Sequence, residues 1–309
     1  AYQNWEYVIV NNRSTDETQE IAERYASRDR RIRICNNEKF VGAIANHNIA
    51  LTKISPHSRY FKMLQADDFL LPNCLEEMVR LAESNPSIGL VGSYRLWGNF
   101  VDCDGLPYPS PVLPGRHICR LTLLGGPYVF GNMSSVLIRS DFVRRNQPFY
   151  NEANIHADVE AYFEVLKSSD FGFVHQVLTY TRTHNARLSS FSWKYKARTV
   201  ANFKLLKKYG PFYLSPDEYE YCLNKALNEY YRMLGNSVFK LREKAFWQFH
   251  KKALAELGYS LSLFKVLRGA FLEVIGLLSE PVRALQRQIA FTKQNRKKKD
   301  LGTRDPCTE

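Results

Sequence analysis

Along residues 1–92, short apolar runs alternate with stretches of helical period. Tyr7–Val10, Ile32–Cys35, Tyr60–Leu64 and Ile88–Val91 read as strands, while Thr15–Ala26, Gly42–Leu51 and Asn73–Glu83 place apolar residues three and four apart, as helices do. Such alternation predicts a parallel sheet covered by helices. Ser14 and Glu17 have the spacing of a capping box at the start of the first helix, and Ile21, Ala22 and Tyr25 fall on one face of it. From Leu96 to Pro127, Gly, Pro and Tyr dominate, which predicts irregular structure with room for a hairpin and a substrate-covering loop. A strand at Ser134–Ile138, a helix through Val159–Leu166 and strands at Phe171–Val174 and Val177–Tyr180 follow. After Ser189 the pattern is helical, with Val200, Phe203 and Leu206 in step, then Tyr219–Phe239 and Ala245–Leu257.

The run Tyr60–Leu64 leads into Gln65-Ala66-Asp67-Asp68, so two adjacent carboxylates stand where an apolar strand stops. Asp is depleted from strands and is rarely buried without a partner. A pair at a strand's C-terminal end fits a divalent cation or sugar hydroxyls, because ligands of open α/β sheets sit there. A turn in which one Asp starts the following helix accounts for the same fragment equally well.

Composition narrows the classes. With 309 residues, 45% hydrophobic and 13% aromatic, the chain can bury a large core and is not disordered as a whole. Its six cysteines are scattered, with no Cys-x-x-Cys pair, which indicates neither a zinc site nor a disulfide framework and fits a reducing cytoplasm. The formal charge is +12, and Phe171–Pro216 holds no Asp or Glu while carrying Arg182, Arg187, Lys194, Lys196, Arg198, Lys204, Lys207 and Lys208. Such a block attracts a nucleotide diphosphate or a phospholipid surface. Nucleic acid is disfavoured, since no recognition module accompanies the charge. Leu261–Leu278, broken by Lys265, Arg268 and Glu273, reads as an amphipathic helix rather than a membrane span. It either packs on the preceding domain or lies at the inner face of a membrane.

Four segments follow in order: Val10–Thr18 with Asn11-Asn12, Gly42–Asn48, Gln65–Asp68, and His156-Ala157-Asp158 before a helix, with Tyr180-Thr181-Arg182-Thr183-His184 after it. In this order the chain resembles glycosyltransferase family 2, the inverting nucleotide-sugar enzymes of the glycosyltransferase A-type fold, from about Tyr2 to about Ser190. The resemblance implies an α/β fold with a mostly parallel sheet flanked by helices, followed by an α-helical C-terminal region. It makes 1–190 a nucleotide-sugar-binding and catalytic domain; beyond it, the helical periodicity and basic composition predict a helical annex over 191–290 and the charge run predicts a disordered tail over 291–309. Since the chain opens at Ala1 directly before the strand Tyr7–Val10, it is expected to be cut from a longer one and to lack the family's first strand.

What the resemblance implies for residues is specific. Asn11, Asn12, Ser14 and Asp16 stand at the turn that meets the nucleotide base, with Asp67 at the ribose or metal and Arg182 near the diphosphate. Asp68 is the expected ligand of Mg²⁺ or Mn²⁺, with Asp67 and His184 beside it, and Asn132 and Ser134 are expected at the acceptor pocket. Asp158 stands at the general base, although by itself it reads better as a helix-capping residue, and only its place after the other motifs favours the base. The implied reaction moves a sugar from a nucleotide-diphosphate donor to an envelope glycan or lipid-linked acceptor. Asn11-Asn12, Gln65 and Ala157 replace acidic residues of the family pattern, which motivates the alternative of a non-catalytic nucleotide-sugar-binding or scaffold protein.

Overall fold

A computed structural model describes residues 2–154, 156–182, 192–240 and 242–275. The β-branched run at the N-terminus forms β1 (Tyr7–Asn11), paired in parallel with β2 (Ile32–Asn36) and joined to it by helix α1 (Thr18–Ala26). Helix α2 (Ala43–Leu51) then leads to a larger, seven-stranded sheet. Its strands are β3 (Tyr60–Phe61), β4 (Phe69–Leu70), β5 (Ile88–Trp97), β6 (Phe100–Asp102), β7 (Val112–Leu113), β8 (Leu137–Arg139) and β9 (Asp170–Thr181). Helices α3 (Cys74–Ser84), α4 (Gly115–Leu123), α5 (Ser140–Arg145) and α6 (Ala157–Val165) connect them.

The long central pair is β5 beside β9, in parallel, with β8 antiparallel on the other side of β5 and β4 antiparallel on the other side of β9. Among the described residues only β1–β2 and β5–β9 are parallel, so the α/β fold is mixed where the alternation predicts a mostly parallel sheet. The cause lies in the connections: β5 turns back at Gly98-Asn99 into β6, and the strands β3, β4 and β7 are two residues long. The runs expected as separate strands at 171–174 and 177–180 are one strand, whose register against β5 shifts between Ser93 and Arg95.

Alternation along the central strands sorts their side chains between two layers. Leu90, Ile138, Phe171 and Phe173 face one core with Ala161, Phe163, Tyr209 and Tyr213, whereas Val91, Leu137, Val174 and Leu178 face α3 through Cys74, Met78 and Ala82. The helix at Ala197–Tyr213 buries Val200, Phe203 and Leu206 as their spacing predicts. It is tied to α6, because Tyr213 donates to the Phe163 carbonyl (2.7 Å) and Tyr209 to Glu164 (2.6 Å). That tie sets Arg198, from the basic block, near the start of α6.

The chain forms two compact units, Ala1–Cys222 and Leu223–Glu309. The helix Ala197–Tyr213 therefore lies in the first unit, past the expected boundary at residue 190. In the second, the later part of helix Pro216–Val238, helix Lys244–Glu256 and a helix over 263–275 pack together, with Tyr230 hydrogen-bonded to His250 (2.7 Å). The expected tail over 291–309 lies outside the described residues, and no described helix is long and apolar enough to cross a membrane.

Candidate functional site

The Asp67-Asp68 turn is built by what interrupts the strand before it. β3 stops at Phe61 because its partner β8 begins only at Leu137; before that, residues Met133–Ser135 form a single 3-10 turn. The backbone N–H of Gln65 consequently donates to the Ser134 hydroxyl (3.0 Å) instead of to a strand, and Asp68 N–H closes the turn on the Gln65 carbonyl (3.0 Å). Asp68 is buried, with Oδ2 accepting from Asn132 Nδ2 at 2.8 Å. The same amide nitrogen lies 3.3 Å from Gln65 Oε1 and 3.2 Å from Thr181 Oγ1, so Asn132 gathers the turn and the end of β9.

Asn132 is itself fixed by a capping box with Ser135, whose hydroxyl donates to Asn132 Oδ1 at 2.9 Å. Gly131 before it has φ +69°, and a Cβ there would come within 2.4 Å of Ser135 Oγ and 3.1 Å of Cys103 Sγ. Only glycine fits. Asn132 and Ser134, expected at the acceptor pocket, thus both hold the Gln65–Asp68 turn. Lys62 is set deep beside it, with Nζ 3.3 Å from the Val136 carbonyl and 3.4 Å from Met78 Sδ. Burial pushes its ammonium pKa down, opposed by Cys74 and Asp68.

Arg182 follows β9 directly, its guanidinium 5.4 Å from the ring centre of Phe69, the residue after Asp68. The structure therefore brings Asp68, Gln65, Asn132 and Arg182 to one end of the sheet. His184 lies outside the described residues.

Asp158 occupies the first turn of α6, where the backbone N–H groups of its own residue and of Val159 favour its charged form. It has the local contacts of a helix-start residue, and it also stands in a cluster of aromatic and basic groups. Its charge raises the phenol pKa values of Tyr128, Tyr150 and Tyr162, after burial as the larger cause. Burial raises the Asp158 pKa, and its backbone hydrogen bonds, Arg198 and Arg95 only partly offset this. Arg95 is paired with Asp102 (2.6 Å), and the Arg198 guanidinium lies 5.4 Å from the ring centre of Tyr128. Tyr128 in turn donates to the Gly131 carbonyl (3.0 Å), so the segment 128–132 touches both the Asp158 cluster and Asp68.

Sequence reasoning missed Arg95 and the three tyrosines, whose approach depends on the sheet and on α6. Arg198 carried one signal, its place in the acid-free block.

The Asn11-Asn12 turn is occupied with its own neighbourhood. Asn11 Nδ2 donates to Gln19 (2.7 Å) and Asn36 (3.1 Å), while its Oδ1 accepts Ser14 N–H (3.0 Å). Asn12 makes a two-way pair with the Val41 backbone (2.8 and 3.1 Å) and accepts from Asn37, which reaches Asn46 on α2. Farther along α2, Asn48 exchanges hydrogen bonds with the Tyr150 backbone, both 2.9 Å. Two sets of amide hydrogen bonds, linked only through α2, thus lie between the turn and Tyr150. The Ser14–Glu17 capping box does not form. Ser14 N–H is held by Asn11 and Arg13 has φ +60°, so α1 begins only at Thr18, with Asp16 accepting Thr18 N–H (3.1 Å).

Asn12→Asp restores an acid of the family pattern, yet it removes the donor to the Val41 carbonyl and sets an anion against it. It is expected to destabilise the fold by about 1–3 kcal/mol, read as a lower midpoint in urea with an unchanged slope.

Residues 1–113 match the family model described as Glycosyl transferase family 2. An uncharacterised glycosyltransferase of Haemophilus influenzae is 27% identical over 199 residues, covering 62% of this chain and 60% of the relative. The glycosyltransferase GlyG of Streptococcus pneumoniae is 26% identical over 105 residues, 34% of this chain and 33% of its own. The chain thus spans less than two thirds of the length of each of these relatives. Among solved structures, the mannosyltransferase PcManGT from Pyrobaculum calidifontis, in complex with GDP-Man and Mn²⁺, shares the fold at a TM-score of 0.50 and 15% identity, over 93% of this chain and 75% of its own. The family match over residues 1–113 and the glycosyltransferase relatives agree in their similarity to glycosyltransferase family 2.

Proposed function

We propose that the protein transfers a sugar from a nucleotide-diphosphate donor to a hydroxyl of a glycan or lipid-linked acceptor, with inversion. The observation that carries this reading is the segment 128–132, which touches a buried carboxylate, Asp68, at one end and the cluster of a second carboxylate with a raised pKa, Asp158, at the other. The acceptor oxygen forms a bond to the anomeric carbon as the bond from that carbon to the diphosphate oxygen breaks. Asp158 takes the acceptor proton, for which a carboxylate raised above its ordinary range is suited. Arg182 binds diphosphate oxygens with its paired N–H groups, and the Asn11-Asn12 turn with Ser14 and Asp16 flanks the base.

The donor set at the turn is hard oxygen: the carboxylates of Asp67 and Asp68 and the Gln65 amide carbonyl. Among the described residues no three or more His, Cys, Asp or Glu side chains converge. One or two carboxylates suit Mg²⁺ or Mn²⁺, which complete their shells with phosphate oxygens. Asp68 would hold the ion with Asp67 beside it, and the ion would stabilise charge on the departing diphosphate. The GDP-Man and Mn²⁺ of the structural neighbour support a donor and a metal of this class.

The test incubates the protein with candidate nucleotide sugars, acceptor and Mn²⁺ and measures release of nucleoside diphosphate. Release that stops with EDTA and returns with Mn²⁺ is expected; donor binding without turnover in any combination would instead favour a non-catalytic binding role. We place the protein at the inner face of a membrane, since a lipid-linked acceptor and a basic chain both belong there.

A further inference from the structure

A helix packed on a protein by one face normally turns polar side chains to the other. The helix over 263–275 carries large apolar side chains on its outer face as well. Its inner face is Val266, Gly269 and Ala270, packed so tightly on helix Pro216–Val238 that a Cβ on Gly269 would come within 2.3 Å of the Tyr231 carbonyl oxygen, and one on Gly235 within 2.2 Å of Ala270 N. Glu273 on the same side pairs with Arg232 and Asn236. At 100° per residue the opposite side is Phe264, Leu267, Phe271 and Ile275. These are 77%, 55%, 64% and 44% exposed, with exposed Arg268 among them and Lys265, whose Nζ lies 5.4 Å from the ring centre of Tyr231, at the flank.

Charge decides among occupants. The unit Leu223–Glu309 has 17 Lys and Arg against 8 Asp and Glu, a surplus of +9 out of the chain's +12. A second copy would bring the same surplus to the contact and be repelled; an anionic bilayer is attracted. Because no described helix is long and apolar enough to cross, such a helix lies in the interface plane.

We propose that helix 263–275 is the membrane-contact element, inserting Phe264, Leu267, Phe271 and Ile275 between the headgroups of an anionic phospholipid bilayer while Lys265 and Arg268 meet lipid phosphates. This rests on the proposed membrane location and is independent of the transfer reaction.

Full-length protein is sedimented with vesicles of phosphatidylcholine alone or enriched in phosphatidylglycerol, at low and high salt. Wild type is expected to pellet with the anionic vesicles at low salt. Phe264→Glu combined with Phe271→Glu is expected to lower its partitioning by about tenfold or more, while Phe264→Leu with Phe271→Leu keeps most of it. Nucleoside diphosphate binding and melting temperature, unchanged in both pairs, separate loss of the membrane face from loss of the fold or of the donor site. The proposal is overturned if wild type ignores anionic vesicles or the Glu pair partitions like wild type. It is equally overturned if the Glu pair only dissociates an oligomer in sedimentation velocity, which would assign the face to a second copy.

Discussion

Asp158→Asn is expected to lower the transfer rate by about 10²–10⁴-fold and, at neutral pH, to raise the melting temperature. The two effects have one origin. Burial holds the Asp158 pKa above its value in the unfolded chain. Between those two values the native state keeps a proton that the unfolded state has released, so stability falls as pH rises through that window and stays lower above it. The amide of Asn is neutral and can still face the backbone N–H groups at the start of α6, so the desolvation cost of the half-buried charge disappears together with the base. Wild-type kcat/KM should lose activity on the acid side at a pH above the ordinary carboxylate range. Arg198→Ala, which removes a nearby positive charge, should move that limb to higher pH. A variant with full activity, or one that melts earlier than wild type, would show Asp158 to be only a structural residue of the helix start.

Much of this site is legible in the amino-acid sequence, because its residues follow one another at the ends of elements that local patterning predicts. Asp68 stands at the end of an apolar run, Arg182 at the end of β9, and Asp158 at the start of an amphipathic helix. Partners that approach across the fold leave no local mark. Tyr128, Tyr150 and Tyr162 come from two loops and α6, and Arg198 arrives on a helix latched by Tyr209 and Tyr213. Strand length fails for a related reason: the Tyr60–Leu64 run has the composition of a strand, but its ladder ends at Phe61, where the neighbouring segment becomes a 3-10 turn. At the first helix, the left-handed Arg13 and the Asn11–Ser14 contact override a valid capping sequence. A wrong local expectation there coincides with the turn proposed to flank the donor's base, where fold economy yields to function.

Asp68→Asn should act in the opposite direction to Asp158→Asn, costing both activity and stability. Activity is expected to fall by about 10²–10³-fold, with Mn²⁺ no longer strengthening donor binding, if the carboxylate holds the ion. Stability falls because Asp68 is a nearby anion for Lys62, whose deeply set Nζ otherwise meets only a carbonyl and a thioether among its described contacts within 3.5 Å. Lys62 and Asp68 interact at a distance rather than as a contact pair, so removing the anion leaves a desolvated ammonium with less compensation, and the loss is expected below the about 3–5 kcal/mol of close buried pairs. Lys62→Met keeps the length of the stem, a close relative of the Met78 that it touches. The double variant Lys62→Met/Asp68→Asn should therefore recover most of the stability lost by Asp68→Asn while remaining inactive. Urea midpoints for the two single variants and the double give the coupling directly. Additive losses would mean that Lys62 and Asp68 do not share a charge balance, leaving Asn132 as the main support of the carboxylate. Recovery of stability without activity would separate the two roles of Asp68: a counter-charge that the fold can do without once Lys62 is gone, and a ligand that transfer requires.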